Sequence, residues 1–176
     1  LADIIKDNID INMMLATLYE EKDDYKRGID VLEKALTNNP KNVELLYQTG
    51  VLYEKIGDTE RALKYMEDVL EVDPEHANAL NFIGYSWADK EINLDKAEEM
   101  IKKALEKKPD DGYIIDSLGW VYFKRGEYEK ALIEIDKAYQ KLPNDPTIAE
   151  HLGDVYAILK NHAKAKEHYE RSITLE

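Results

Sequence analysis

The sequence contains no cysteine, which excludes disulfides and thiolate metal sites and is compatible with an oxidising or a reducing compartment. No stretch approaches the roughly 18 consecutive apolar residues that would span a bilayer as a helix, so no direct membrane insertion is expected. The opening residues, Leu1-Ala2-Asp3-Ile4-Ile5-Lys6, lack the basic and apolar regions of a signal peptide and an initiator Met, and the chain reads as an excised piece of a longer protein. Positive charge is scarce: 24 Lys and Arg stand against 37 Asp and Glu, for a formal net charge of -13 and a pI near 4.8. Such a balance opposes phosphate binding, which needs clustered cations, and no nucleic-acid partner is expected. The two basic pairs, Lys102-Lys103 and Lys107-Lys108, read as the solvated face and the negative dipole end of one helix.

Signatures of chemistry are missing too. There is no P-loop, dinucleotide-binding glycine fingerprint, helical His-Glu-x-x-His pair or EF-hand. His76, His151, His162 and His168 never recur at three- or four-residue spacing, so they do not form a helical metal pair and read as solvated or helix-end residues. Asp110-Asp111 falls in a turn and Glu98-Glu99 in a Lys-rich helix, which leaves no candidate acid-base pair. No metal, cofactor or catalytic site is expected; the chain reads as non-enzymatic.

What is present is a repeat. Pro40, Pro74, Pro109 and Pro143 lie 34, 35 and 34 residues apart, a period that marks stacked supersecondary units, each unable to bury its own apolar face. With the proline at position 32, units run over 9–42, 43–76, 77–111, 112–145 and 146–176, and residues 1–8 fit the tail of a preceding unit through Leu1, Ala2 and Ile4. Positions 4, 7, 8 and 11 give one helical stripe in each unit, for example Leu46-Thr49-Gly50-Tyr53 and Ile115-Leu118-Gly119-Tyr122. Positions 20, 24 and 27 give a second, as in Ala62-Met66-Val69 and Ala131-Ile135-Ala138. One residue is inserted within Glu91-Ile92-Asn93-Leu94 of the third unit. Glycine in a helix is unfavourable, so its recurrence at position 8 predicts a helix passing too close for a side chain. The first unit carries Ala16 and Gly28 where the others carry Gly and a small residue, preserving the small pair. The four spaced prolines end second helices, and Pro146 suits the first turn of a helix capped by Asp145.

These residues resemble a tetratricopeptide repeat array over residues 9 to 176. The resemblance implies an all-α fold, a right-handed α-solenoid of five stacked helix-turn-helix units in a single domain. It implies that positions 2, 5, 9, 12 and 13 line a concave groove that binds protein or peptide. Its candidate contact residues are Tyr47, Asn78, Asn81, Tyr85, Tyr113, Asp116, Trp120, Phe123, Glu150 and Asp154. The aromatics among them read as binding anchors, and Asn78 and Asn81 as groups that hold a ligand's backbone. By contrast Tyr19, Tyr53, Trp87, Tyr122 and Tyr156, at position 11, read as core. Acids outnumber Lys55 and Lys124 at the groove positions, which favours a partner with basic and apolar residues. Position 5 carries no Lys or Arg, so a clamp for an acidic chaperone tail is not expected.

The segments Asn81-Phe82-Ile83-Gly84-Tyr85-Ser86-Trp87-Ala88-Asp89, Asp116-Ser117-Leu118-Gly119-Trp120-Val121-Tyr122 and Ala149-Glu150-His151-Leu152-Gly153-Asp154-Val155 are similar to repeats of bacterial cell-envelope tetratricopeptide lipoproteins. Members of that group serve as adaptors, including for carboxyl-terminal processing proteases, which implies an adaptor of the periplasm or cell envelope. Sequence alone leaves open a cytoplasmic location, a self-assembling scaffold, and a regulatory domain of a larger protein.

Overall fold

A computed structural model describes residues 8–175, which form ten α-helices with no strand among them. The helices are α1 (Ile9–Glu20), α2 (Tyr25–Asn38), α3 (Val43–Lys55), α4 (Thr59–Val72), α5 (Ala77–Asp89), α6 (Leu94–Lys107), α7 (Gly112–Lys124), α8 (Tyr128–Lys141), α9 (Pro146–Ile158) and α10 (His162–Leu175). The expected tail of a preceding unit, with Leu1, Ala2 and Ile4, lies outside the described residues. Helix starts follow from capping. Asn42 and Asp145 accept from the backbone N–H groups of Leu45 and Ile148 at 2.9 and 3.0 Å, satisfying donors the helix itself leaves free. Pro146 occupies the first turn of α9, and Pro40, Pro74, Pro109 and Pro143 lie in the turns after α2, α4, α6 and α8.

The chain forms two compact units, one ending at Ala79 and the other beginning at Leu80. In the first, Leu32, Leu45, Leu52 and Met66 are fully buried, each side chain contributing about 1.5–3 kcal/mol by leaving water. A Cβ added to Gly28 would stand 2.8 Å from Leu52 Cδ1 and in ordinary contact, 3.5 Å, with the Ala16 carbonyl, so the Leu52 side chain is what crowds this position. In the second, Ile115, Ile135, Ile148, Leu152 and Val155 form the centre of one core cluster with Ala131, Ala138 and Ala165. A Cβ on Gly84 would meet Ile101 Cγ1 at 2.7 Å and the Ala97 carbonyl at 3.1 Å. The backbone contact cannot be relieved by a rotamer change, so position 8 is set by close helix approach.

Each intra-pair turn contains a residue at positive φ at the same repeat position: Asp23 (56°), Gly57 (78°), Glu91 (55°), Gly126 (76°) and Lys160 (61°). Two turns use the residue suited to this conformation, and the other three accept its cost. The inserted residue of the α5–α6 turn adds a second such position, Asn93 at 49°.

Candidate functional site

The first helix of each pair carries the residues expected to meet a partner. In the first unit, Tyr47 on α3 is half-buried, its ring 5.1 Å from that of His76. His76 Nδ1 accepts from the Ala79 N–H at 3.2 Å, and Asn78 is half-buried in the first turn of α5.

The second unit gathers most of the other candidates around a residue that the repeat pattern did not single out. His151, on α9, is buried, and its Nδ1 lies 2.8 Å from Oδ2 of Asp116 on α7, which is buried as well. Its imidazole stacks on Trp120 with ring centroids 4.0 Å apart and planes 14° apart. Trp120 also lies parallel to Phe123, at 4.8 Å, and Phe123 meets Tyr128 edge-on at 5.6 Å. Tyr85 on α5 approaches His151 at 6.5 Å, and Asn81 lies one turn before it. The Lys124 ammonium lies 4.9 Å from the Trp120 ring centre, a cation over an aromatic face, and 3.4 Å from Glu91.

Two candidates reach solvent: Tyr113, 57 % exposed at the start of α7, and Glu150. Asp154 is half-buried and accepts the Tyr169 hydroxyl at 2.7 Å. Burial and that carboxylate together push the Tyr169 hydroxyl up to about 12.

Three sequence expectations change. His151 is not a solvated or helix-end histidine: it is buried, one position further along its unit than Asp116 is in the preceding one, and its helix turns it against the preceding first helix. Gln48, at the same repeat position in the first unit, reaches a different residue of the preceding first helix, its Nε2 donating to Glu20 Oε2 at 2.8 Å. Trp120 is not an exposed groove anchor but is 7 % exposed, because His151 covers it. Trp87, expected in the core, is half-buried, as are Tyr19 and Tyr122 at the same repeat position. Tyr53 and Tyr156 are buried as expected, and the Tyr53 and Tyr122 hydroxyls donate to Glu33 (2.6 Å) and Glu98 (3.1 Å). Burial raises the Glu98 pKa, but bonds from Lys102, Arg125 and Tyr122 outweigh it and leave the group below its ordinary value.

Among the described residues no three His, Asp or Glu side chains are grouped to hold a metal, and no helix is long and apolar enough to cross a membrane. The geometry is that of a helix-pair repeat protein whose first helices carry an aromatic and acidic face. Residues 19–83, 93–146 and 148–176 each match the tetratricopeptide repeat, and the chain belongs to that family. Its members are typically non-enzymatic modules for protein–protein interaction. The chain is 32% identical over 123 residues to a tetratricopeptide repeat-containing protein of Pseudomonas aeruginosa, a match that takes in 70% of this chain and 21% of the relative. It thus spans about a fifth of that protein's length. Among solved structures, MamA from Desulfovibrio magneticus superposes with a TM-score of 0.74 at 21% identity, over 94% of this chain and 93% of that one. PilF of Pseudomonas aeruginosa gives 0.75 at 18% identity, over 95% and 76%. These two share the fold.

Proposed function

We propose that this chain is a bacterial adaptor that receives a peptide segment or partner helix along the first helices of its second unit, with Tyr113, Tyr85, Phe123 and Glu150 as contacts; Tyr47 and Asn78 are the candidate contacts of the first unit by itself. The observation that supports it most is Tyr113: a large aromatic ring, 57 % exposed, on the helix whose next turns carry the buried Asp116 and Trp120. An exposed Tyr on a rigid helix supplies contact area with little ordering cost, the usual make-up of a binding anchor. The acidic character of the face favours a partner carrying basic residues beside apolar ones. A cell-envelope setting is part of the same proposal and rests on the three segments that resemble envelope lipoproteins. A photoreactive phenylalanine analogue placed at Tyr113, and separately at Ile133 on α8, tests it in cells. Cross-links to one protein from position 113 and none from 133 are expected; equal cross-linking from both positions would refute the assignment of the face.

A further inference from the structure

The second unit holds four polar atoms that are shielded from water and have no hydrogen-bond partner; His168 Nδ1 lies among the rings of Tyr139 and Tyr156, and the other three are Asn81 Oδ1, Asp116 Oδ1 and Trp120 Nε1. Their helices meet at His151. Its imidazole holds the other oxygen of Asp116 at 2.8 Å, stacks on Trp120 at 4.0 Å and faces Tyr85, one turn from Asn81, at 6.5 Å. Asp116 and Trp120 are themselves one turn apart on α7 and are 5 % and 7 % exposed. Buried polar atoms in folded proteins are almost always paired, because an unpaired one gives up its bonds to water and gains none. Asp116 and Trp120 flank this histidine and Asn81 lies one turn from the Tyr85 that faces it, so the three unpaired atoms offer a set of bonds that another group can complete.

The set has a specific composition. Trp120 Nε1–H can only donate, whereas Asn81 Oδ1 and Asp116 Oδ1 accept. A carboxylate would bring no donor and would face the Asp116 carboxyl. An ammonium or guanidinium would leave the indole unpaired and would compete with Lys124, already 4.9 Å from the ring centre. A main-chain amide brings one N–H and leaves an acceptor unmet. A primary carboxamide, with two N–H donors and one carbonyl, answers all three groups.

We propose that this cluster is a recognition site for the side-chain carboxamide of an Asn or Gln carried by the partner, a refinement that rests on the adaptor reading above. The side chain that moves aside to admit it is Lys124, whose ammonium lies over the Trp120 ring and is tied at 3.4 Å to the exposed Glu91. The carbonyl of the entering group accepts from the indole, and its two N–H groups donate to Asn81 and Asp116.

The test uses the indole N–H resonances of the nitrogen-15-labelled chain, which has two tryptophans, Trp87 and Trp120. Trp120→Phe identifies the signal of Trp120. The probes are N-acetylglutamine methylamide and, as controls, the corresponding glutamate and leucine derivatives. The expected result is a saturable shift of the Trp120 signal with the glutamine probe alone, an unmoved Trp87 signal, and at least tenfold weaker binding in Asn81→Leu with an unchanged helical spectrum. No shift with the glutamine probe, as for a cluster that merely encloses water, would overturn the proposal, and so would an equal shift with the leucine or glutamate probe. Cross-linking from position 113 is read separately. If it persists while the glutamine probe leaves Trp120 unmoved, the carboxamide site fails and the adaptor reading stands; if it is lost while the probe still binds, the adaptor reading fails alone.

Discussion

Replacing Trp120 with alanine separates packing from binding on the first-helix face. The ring is 7 % exposed and lies parallel to His151 at 4.0 Å and to Phe123 at 4.8 Å, so truncation removes the largest side chain of that stack and leaves a cavity. Buried large-to-Ala changes of aromatic residues cost about 3–5 kcal/mol. The upper half of that range is expected because favourable ring pairs are lost along with the buried area. Trp87→Ala is the internal comparison: its ring is half-buried, and about 1–3 kcal/mol is expected from the smaller area returned to water. Urea unfolding followed by circular dichroism measures both, provided the slope with denaturant is unchanged, so that the midpoint reports stability. A loss below about 1 kcal/mol for Trp120→Ala, or a larger loss for Trp87→Ala, would refute the assignment of Trp120 to the interior.

Lys160 holds φ at 61°, a conformation glycine adopts without strain, so Lys160→Gly is expected to stabilise by about 0.5–1 kcal/mol after the extra freedom of the unfolded chain is subtracted; destabilisation on urea unfolding would count against the strain argument. Burial lowers the pKa of His168 from 6.5, with the rings of Tyr139 and Tyr156 at 5.2 and 5.5 Å. The unfolded chain therefore takes up this proton more readily than the folded one, and the contribution to stability is complete above about pH 6.5 and falls as the pH drops below it. Thermal melts across that range should show a steeper loss for the parent than for His168→Phe, and parallel curves would contradict the reading. If the partner is basic, its affinity should weaken as salt rises, since exposed charges are screened over about 10 Å at 0.1 M; calorimetry at low and high salt reads this directly.

The helices were legible because their pattern is enforced by packing that every unit repeats. Ala62, Ala97, Ala131 and Ala165, all at position 20, are buried, and a side chain at Gly84 would crowd both Ile101 and the Ala97 carbonyl. The prolines could be placed because they cannot continue a helix. The positive-φ position was legible only at Gly57 and Gly126; Asp23, Glu91 and Lys160 adopt the same conformation without announcing it by residue type. The candidate face was legible in part. Spacing within α7 identified Asp116 and Trp120 as one stripe, but His151 reaches them from a helix one unit later, and that contact depends on how two helices are rotated against each other. Burial of Trp120 follows from the same contact, which is why a residue with the pattern of an exposed anchor is interior, whereas Tyr113, one turn before Asp116, reaches solvent.

The most direct measurement of the central claim is the affinity of the cross-linked partner for three purified forms: the parent chain, Tyr113→Ala and Ile133→Ala. Both substituted residues are exposed, at 57 % and 55 %, so neither change should disturb folding. With the first-helix face as the binding surface, Tyr113→Ala should weaken binding by about 2 kcal/mol, roughly thirtyfold, while Ile133→Ala leaves it unchanged. An unaltered affinity for Tyr113→Ala together with a loss for Ile133→Ala would move the interface to the second helices and contradict the account.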